Sequence, residues 1–121
     1  MAETATYAAR LRAYQQAYCS TLDEKTAALR LHEAAIRYVR QAAAAREPVR
    51  RLILENRALR ILNALTGAVR TSRAHPGANA DVCDKLIAVY HAASLAVHRG
   101  QYETSEKLIA ALLKPPATAP S

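Results

Sequence analysis

Hydrophobic and polar positions alternate with a helical period between residues 28 and 42. At about 100° per residue, one face of this segment is apolar and the opposite face carries most of the charged residues. The apolar face comprises Ala28, Leu31, His32, Ala35, Ile36, Tyr38, Val39 and Ala42. Because this arc is wider than the seam of a coiled coil, it predicts a helix that packs against two or more neighbours in a globular bundle.

Local signals place the ends of this first helix. Thr21 and Glu24 have capping-box spacing and Asp23 can act as an N-cap, so we expect the helix to begin near Asp23. Pro48 disfavours helix at the residue before it and is favoured in the first turn of a new helix. The first helix is therefore predicted to end near Arg46, and a second helix to start at Pro48.

The second helix, predicted over residues 48–70, has apolar residues on two sides. The stripe predicted to face the core consists of Leu54, Ala58, Ile61, Leu62, Leu65 and Val69. The other stripe consists of Val49, Leu52, Ile53 and Leu59. Two interpretations of this second stripe stay open: it contacts a third helix, or it forms the wall of an exposed groove that binds a partner. The stripe is bordered by Arg50, Arg57 and Arg60. These arginines could steer an acidic segment toward the stripe or simply keep the surface soluble.

Two further helices follow a loop. Residues 71–80 contain a cluster of turn-forming residues and no apolar periodicity, which predicts a connection. A third helix is expected from Asp81, whose carboxylate suits the positive end of a helix, to Gly100. A fourth is expected over residues 102–114, where the prolines at 115–116 stop it.

The chain of 121 residues fits one domain, and its composition of strong helix formers with only three glycines predicts an all-α protein. We expect an antiparallel up-down four-helix bundle over residues 23–114, an N-terminal arm over residues 1–22 and a disordered tail over residues 115–121. Short connections should follow the first and third helices.

The N-terminal arm carries its own apolar stripe, which consists of Tyr7, Leu11, Tyr14 and Tyr18. Tyrosine combines an apolar ring with a polar tip, so the stripe suits two roles. It could pack permanently against the bundle, or it could form a mobile arm, with or without a short helix, that covers part of a binding groove.

No candidate for catalysis or metal binding emerges from the sequence. Cys19 and Cys83 lack metal-ligand or redox spacing, and His91 and His98 lie two helical turns apart instead of the one turn that a chelate needs. His32, on an apolar face, is interpreted as a hydrogen-bonded core-edge residue. With no phosphate-binding loop and no nucleophile motif, we expect neither an enzyme, nor a small-molecule substrate, nor a cofactor.

Charge suggests which partners to consider. The net charge of +7 is compatible with nucleic acid, an anionic membrane surface or an acidic protein segment, and equally with a solvated basic face. Nucleic-acid binding is the alternative function, but the arginines are spread over several helices and no helix-turn-helix pattern is present. Arg10 and Arg12 interrupt the apolar residues near the N-terminus, so we expect a cytoplasmic protein without an export signal or membrane span.

Three blocks of the sequence resemble the flagellar secretion chaperone (FliS) family. Residues 29–37 (LRLHEAAIR) are similar to the family's LxLYDGAI[K/R], residues 57–65 (RALRILNAL) to [K/R]AxxIIxEL, and residues 82–90 (VCDKLIAVY) to IAxNLxxLY. An Ala-Tyr pair at residues 13–14 also fits the family's N-terminal region. The chain departs from the pattern where His32, Glu33 and Ala34 replace Tyr, Asp and Gly.

The resemblance implies a function in the cytoplasm. In this family, the disordered C-terminal segment of flagellin folds into short helices against apolar grooves of an antiparallel bundle, and the N-terminal arm can occupy part of that surface. Such a chaperone prevents flagellin from polymerising before type III secretion. The resemblance thus implies flagellin as the partner, and the apolar stripes nominate its binding residues as Tyr7, Leu11, Tyr14, Val49, Leu52, Ile53 and Leu59.

Overall fold

The computed structural model describes residues 22–113, with side chains from residue 26 onward. These residues form four α-helices in the order α1 (Leu22–Ala44), α2 (Pro48–Arg73), α3 (Ala80–His98) and α4 (Tyr102–Ala111). Residues 22–113 contain no β-strand. The prediction of an all-α four-helix bundle is confirmed, while the predicted tail and all of the predicted arm except Leu22 lie outside the described residues.

The helices pack in a ring in which each one contacts two neighbours. Helix α1 packs against α2 and α4, and α3 packs against the same two helices. Three-residue connections at 45–47 and 99–101 reverse the chain direction, as predicted, so that consecutive helices lie side by side. Helix α4 is much shorter than the others, at 10 residues, so it covers only part of the α1–α3 side.

Some helix ends differ from the sequence-based expectations. Helix α1 already includes Leu22, so Asp23 lies within the helix and is not its N-cap. Helix α2 continues to Arg73, because helical backbone hydrogen bonds do not require apolar periodicity in the last turn. Asn79 caps α3 by accepting a hydrogen bond from the backbone N–H of Val82 at 3.1 Å.

The core is built from the inward-facing stripes of all four helices. Its largest fully buried apolar side chains come from all four helices, and those of α1 and α2 belong to the stripes that the helical period predicts. Cys83 is also buried. These core residues are Val39, Leu54, Leu62, Leu86, Tyr90, Val97 and Ile109.

Hydrogen bonds satisfy the polar groups at the centre of the bundle. The His32 side chain is only 1% exposed, and its Nδ1 lies 2.7 Å from the carbonyl oxygen of Ala28. Its Nε2 lies 2.8 Å from the hydroxyl of Tyr90 on α3. The hydroxyl of Ser105 on α4 donates to the carbonyl oxygen of Ala93 at 2.9 Å. His32 is therefore a hydrogen-bonded residue, as predicted, but it lies fully inside the core and not at its edge.

An ion pair on the surface links the end of α2 to α3. Nε and Nη2 of Arg73 donate to the two carboxylate oxygens of Asp84 at 2.7 and 3.1 Å. The hydrogen bonds from Arg73 hold the pKa of the Asp84 carboxyl below its usual value. A carboxyl whose pKa is lowered in the folded state stabilises the fold at pH values above its unfolded-state pKa. This stabilisation is lost as the pH falls through the folded-state pKa.

We therefore expect Arg73→Gln to raise the pKa of Asp84 toward its ordinary value, because the charged donor is removed. Carboxyl ¹³C chemical shifts followed through an NMR pH titration would measure the change. Arg70→Gln, which removes an equal charge one turn earlier, is the control and should leave the Asp84 pKa in place. An Asp84 pKa that Arg73→Gln does not change would contradict the expectation.

Gly67 is an exposed glycine inside α2, and a Cβ added there meets no heavy atom within 4 Å. Alanine is favoured over glycine in a helix interior by about 1 kcal/mol. Gly67→Ala should therefore raise the free energy of unfolding by about that amount. The reverse change at an exposed alanine of the same helix, Ala64→Gly, should lower it similarly. Urea denaturation followed by circular dichroism tests both, and two shifts of the same sign would contradict the argument.

Candidate protein-binding surface

Three large apolar side chains lie exposed on the first two turns of α2. Val49 is 62% exposed, Leu52 56% and Ile53 42%. We call this surface the α2 patch. At 100° per residue, Val49 lies about 180° around the helix from the centre of the core-facing stripe. No helix within residues 22–113 covers the patch, so none of these helices makes the third-helix contact that the sequence left open.

Leu59 lies apart from the α2 patch, although the sequence grouped it with the other three residues. Its side chain is half-buried and packs against the cluster formed by Val39, Ala58 and Val97. It also lines a depression between α2 and α3. The structure therefore brings together three of the four α2 residues predicted to bind a partner, and places the fourth about two turns further along the helix, where it is half-buried.

The three arginines predicted to border the stripe have different surroundings. Arg50 is exposed beside the patch, whereas the guanidinium of Arg57 lies 5.7 Å from the ring centroid of Tyr38 on α1. Arg37 lies over the same ring at 5.5 Å. Arg60 lines the depression between α2 and α3. Only Arg50 thus remains beside the patch without a described contact, since Arg57 makes a cation–π contact within the bundle.

The arm residues Tyr7, Leu11 and Tyr14 lie outside the described residues. On the described part of α1, Leu29 and Leu31 are 38% and 37% exposed. Both belong to the first three turns of α1, near the point where the arm joins the bundle. That the arm covers exposed apolar side chains such as these remains a prediction.

Several polar and titratable groups of the described residues have structural partners. The hydroxyl of Tyr102 donates to the carboxylate of Glu55 and so joins the start of α4 to α2. Burial raises the pKa of the Tyr102 phenol above its usual value, and the hydrogen bond to Glu55 adds to this effect. Within residues 22–113, no cluster of three or more histidine, cysteine or acidic side chains could hold a metal ion.

A second surface, which the sequence did not predict, runs between α2 and α3. Two adjoining depressions of about 310 and 450 Å³ share Asn63, Ser94 and His98 and therefore form one groove. We call it the α2–α3 groove. No periodicity reveals it, because it depends on which faces of α2 and α3 meet and on the small side chains in its lining.

None of the described helices is both long and apolar enough to cross a bilayer. Comparison of the chain with protein-family models, with curated proteins and with solved structures finds no significant match.

Proposed function

We propose that this protein is an export chaperone that binds the disordered C-terminal segment of flagellin in the cytoplasm and prevents its polymerisation before type III secretion. The observation that carries the proposal is the α2 patch, a group of large apolar side chains left exposed on a well-packed bundle. The three sequence blocks that resemble the flagellar secretion chaperones support it, and so does the confirmed four-helix architecture.

The α2 patch has the chemistry that a folding-upon-binding mechanism requires. An amphipathic segment that becomes helical on binding pays an ordering cost of about 2–5 kcal/mol or more. Burial of apolar surface must exceed that cost, and at about 25 cal/mol per Å² this demands contacts beyond a single side chain. Val49, Leu52 and Ile53 occupy two successive turns of α2, so they match the i, i+3, i+4 spacing by which a partner helix presents its own apolar face.

Calorimetry with a peptide from the flagellin C-terminus tests the proposal, with duplex DNA as the competing ligand. Apolar burial predicts a markedly negative heat-capacity change and an affinity that depends weakly on salt. Binding to DNA phosphates predicts a steep loss of affinity as salt increases. Measurements at two temperatures and two salt concentrations separate these results. The chaperone proposal is wrong if only DNA binds and added salt abolishes the binding.

Deleting residues 1–19 should change the affinity for the flagellin peptide, because the proposed arm would compete with the peptide for apolar surface. Docking of Tyr7, Leu11 and Tyr14 would bury apolar area worth several kcal/mol at about 25 cal/mol per Å², before ordering costs. Peptide titration and thermal unfolding of the full-length and truncated proteins measure both consequences. An unchanged dissociation constant together with unchanged stability would show that the arm has no such role.

A further inference from the structure

The α2–α3 groove is a long, shallow channel that has small residues in its lining. On the α2 side it extends from Asn56 to Arg70, a distance of about 21 Å at 1.5 Å per residue. Gly67 contributes no side chain, and a Cβ placed there would meet nothing within 4 Å. On the α3 side, Ser94 lies at the point shared by both depressions. The groove therefore offers about four helical turns of length and room for close approach of a partner backbone.

The groove lining is basic. Arg60 and Arg70 line it from α2, and His91 and His98 line it from α3. No aspartate or glutamate is among its lining residues. Neither arginine forms an ion pair with any residue that the structure describes, in contrast to Arg73, which is paired with Asp84. Helix α2 as a whole carries six arginines and a single glutamate. An occupant of this channel would therefore meet the positive charges of Arg60 and Arg70 and no negative charge from the lining.

Apolar side chains complete the groove. Leu59 is half-buried on the α2 side, and Leu95 on the α3 side is 42% exposed. A surface that combines aliphatic contacts with flanking arginines matches a helix with one apolar stripe and acidic residues beside it. A nucleic-acid duplex fits less well, because it has a convex, uniformly charged backbone, whereas this surface is a concave channel between two helices with leucines in it.

We propose that the α2–α3 groove binds an acidic amphipathic helix of a partner protein, with aliphatic side chains against Leu59 and Leu95 and carboxylates facing Arg60 and Arg70. The termini of the chain itself lack the required charge. Residues 1–21 contain one glutamate and two arginines, and residues 114–121 contain a lysine and no acidic residue. This binding mode goes beyond the proposed flagellin contact, because the groove is lined by residues 56–70 of α2 together with α3, whereas the α2 patch consists of residues 49–53.

Fluorescence anisotropy with a designed helical peptide of about 18 residues, long enough to span the groove, tests this proposal. The probe carries leucines at i, i+4 spacing flanked by glutamates, and a matched peptide replaces every glutamate with lysine. The full-length protein should bind the acidic peptide at least about tenfold more tightly than the basic one, and added salt should weaken binding. Equal affinity for both peptides would overturn the proposal.

Two variants place the binding in the groove. Gly67→Leu adds a bulky side chain to the α2 lining of the channel, and the double variant Arg60→Glu/Arg70→Glu reverses its charge. Each should raise the dissociation constant of the acidic peptide at least about tenfold. Ala68→Leu puts the same side chain about 100° further around α2, at an exposed position outside the groove lining, and should leave the dissociation constant unchanged. Circular dichroism confirms that the helices persist, which is expected for Gly67→Leu because leucine is the better helix former and has open space.

Further controls separate this result from the flagellin proposal and from nucleic-acid binding. Leu52→Ala/Ile53→Ala removes apolar surface from the α2 patch without adding charge and should leave binding of the acidic peptide intact, whatever it does to flagellin. A loss of affinity for Ala68→Leu equal to that for Gly67→Leu would overturn the groove assignment. Tighter binding of duplex DNA than of the acidic peptide would also overturn the assignment, provided that the Arg60→Glu/Arg70→Glu variant abolishes the DNA binding.

Discussion

Replacing both Leu52 and Ile53 with aspartate is expected to weaken binding of the flagellin C-terminal peptide about 100-fold without unfolding the bundle. Burying an exposed Leu or Ile side chain is worth about 1.5–3 kcal/mol, and each 1.4 kcal/mol corresponds to a tenfold change in the dissociation constant. Since about half of each side chain is already shielded in the free protein, the two together contribute about 1.5–3 kcal/mol on binding. The introduced carboxylates would also have to be desolvated.

A matched variant separates loss of apolar contact from the change in charge. Ala64→Asp/Ala68→Asp adds the same two negative charges to exposed positions of α2 and leaves the α2 patch intact. This variant should bind the peptide with nearly the original affinity. Calorimetric titration measures both dissociation constants, and thermal unfolding checks that both proteins fold. If the Leu52/Ile53 variant binds as tightly as the unchanged protein, the α2 patch is not the flagellin site.

Much of the fold could be predicted because its determinants are local. The core-facing residues Ala35, Leu62 and Leu86 each belong to a stripe that repeats every three or four positions, so a single helix reveals which side it buries. The proline at position 48 likewise fixes the start of α2 without reference to any neighbour. Helical content and the inward faces of the helices follow from such signals.

Features that depend on how the helices rotate against one another could not be predicted. The sequence grouped Leu59 with Val49, Leu52 and Ile53 because all four lie off the core stripe. Only the packing of α2 against α3 shows that Leu59 is shielded while the others are exposed. The α2–α3 groove also arises from this packing. In the same way, Asn79 and Asp81 both suit the start of a helix, and the backbone conformation selects Asn79 as the cap.

The hydrogen bond between His32 and Tyr90 was also inaccessible from local pattern, since the two residues are 58 positions apart. Its role can be tested by removing the Tyr90 hydroxyl. Because Nδ1 of His32 faces the carbonyl oxygen of Ala28, we assign the ring proton to Nδ1, which makes Nε2 the acceptor of the Tyr90 hydroxyl. Both side chains are almost completely buried. Tyr90→Phe deprives Nε2 of this donor in a place where little water can replace it.

We expect Tyr90→Phe to lower the free energy of unfolding by about 1–3 kcal/mol, the typical cost of a buried polar group that loses its partner. The cost should fall when both polar groups are replaced, since an apolar pair leaves no group in need of a donor. The double variant His32→Leu/Tyr90→Phe should therefore be more stable than the sum of the two single changes predicts, by at least about 0.5 kcal/mol. Urea unfolding of the unchanged protein and the three variants supplies the four free energies of this double-mutant cycle. The comparison requires that the free energy of unfolding depend on urea concentration with the same slope in all four proteins. Effects that add to within about 0.3 kcal/mol would show that the hydrogen bond makes no net contribution to the stability of the bundle.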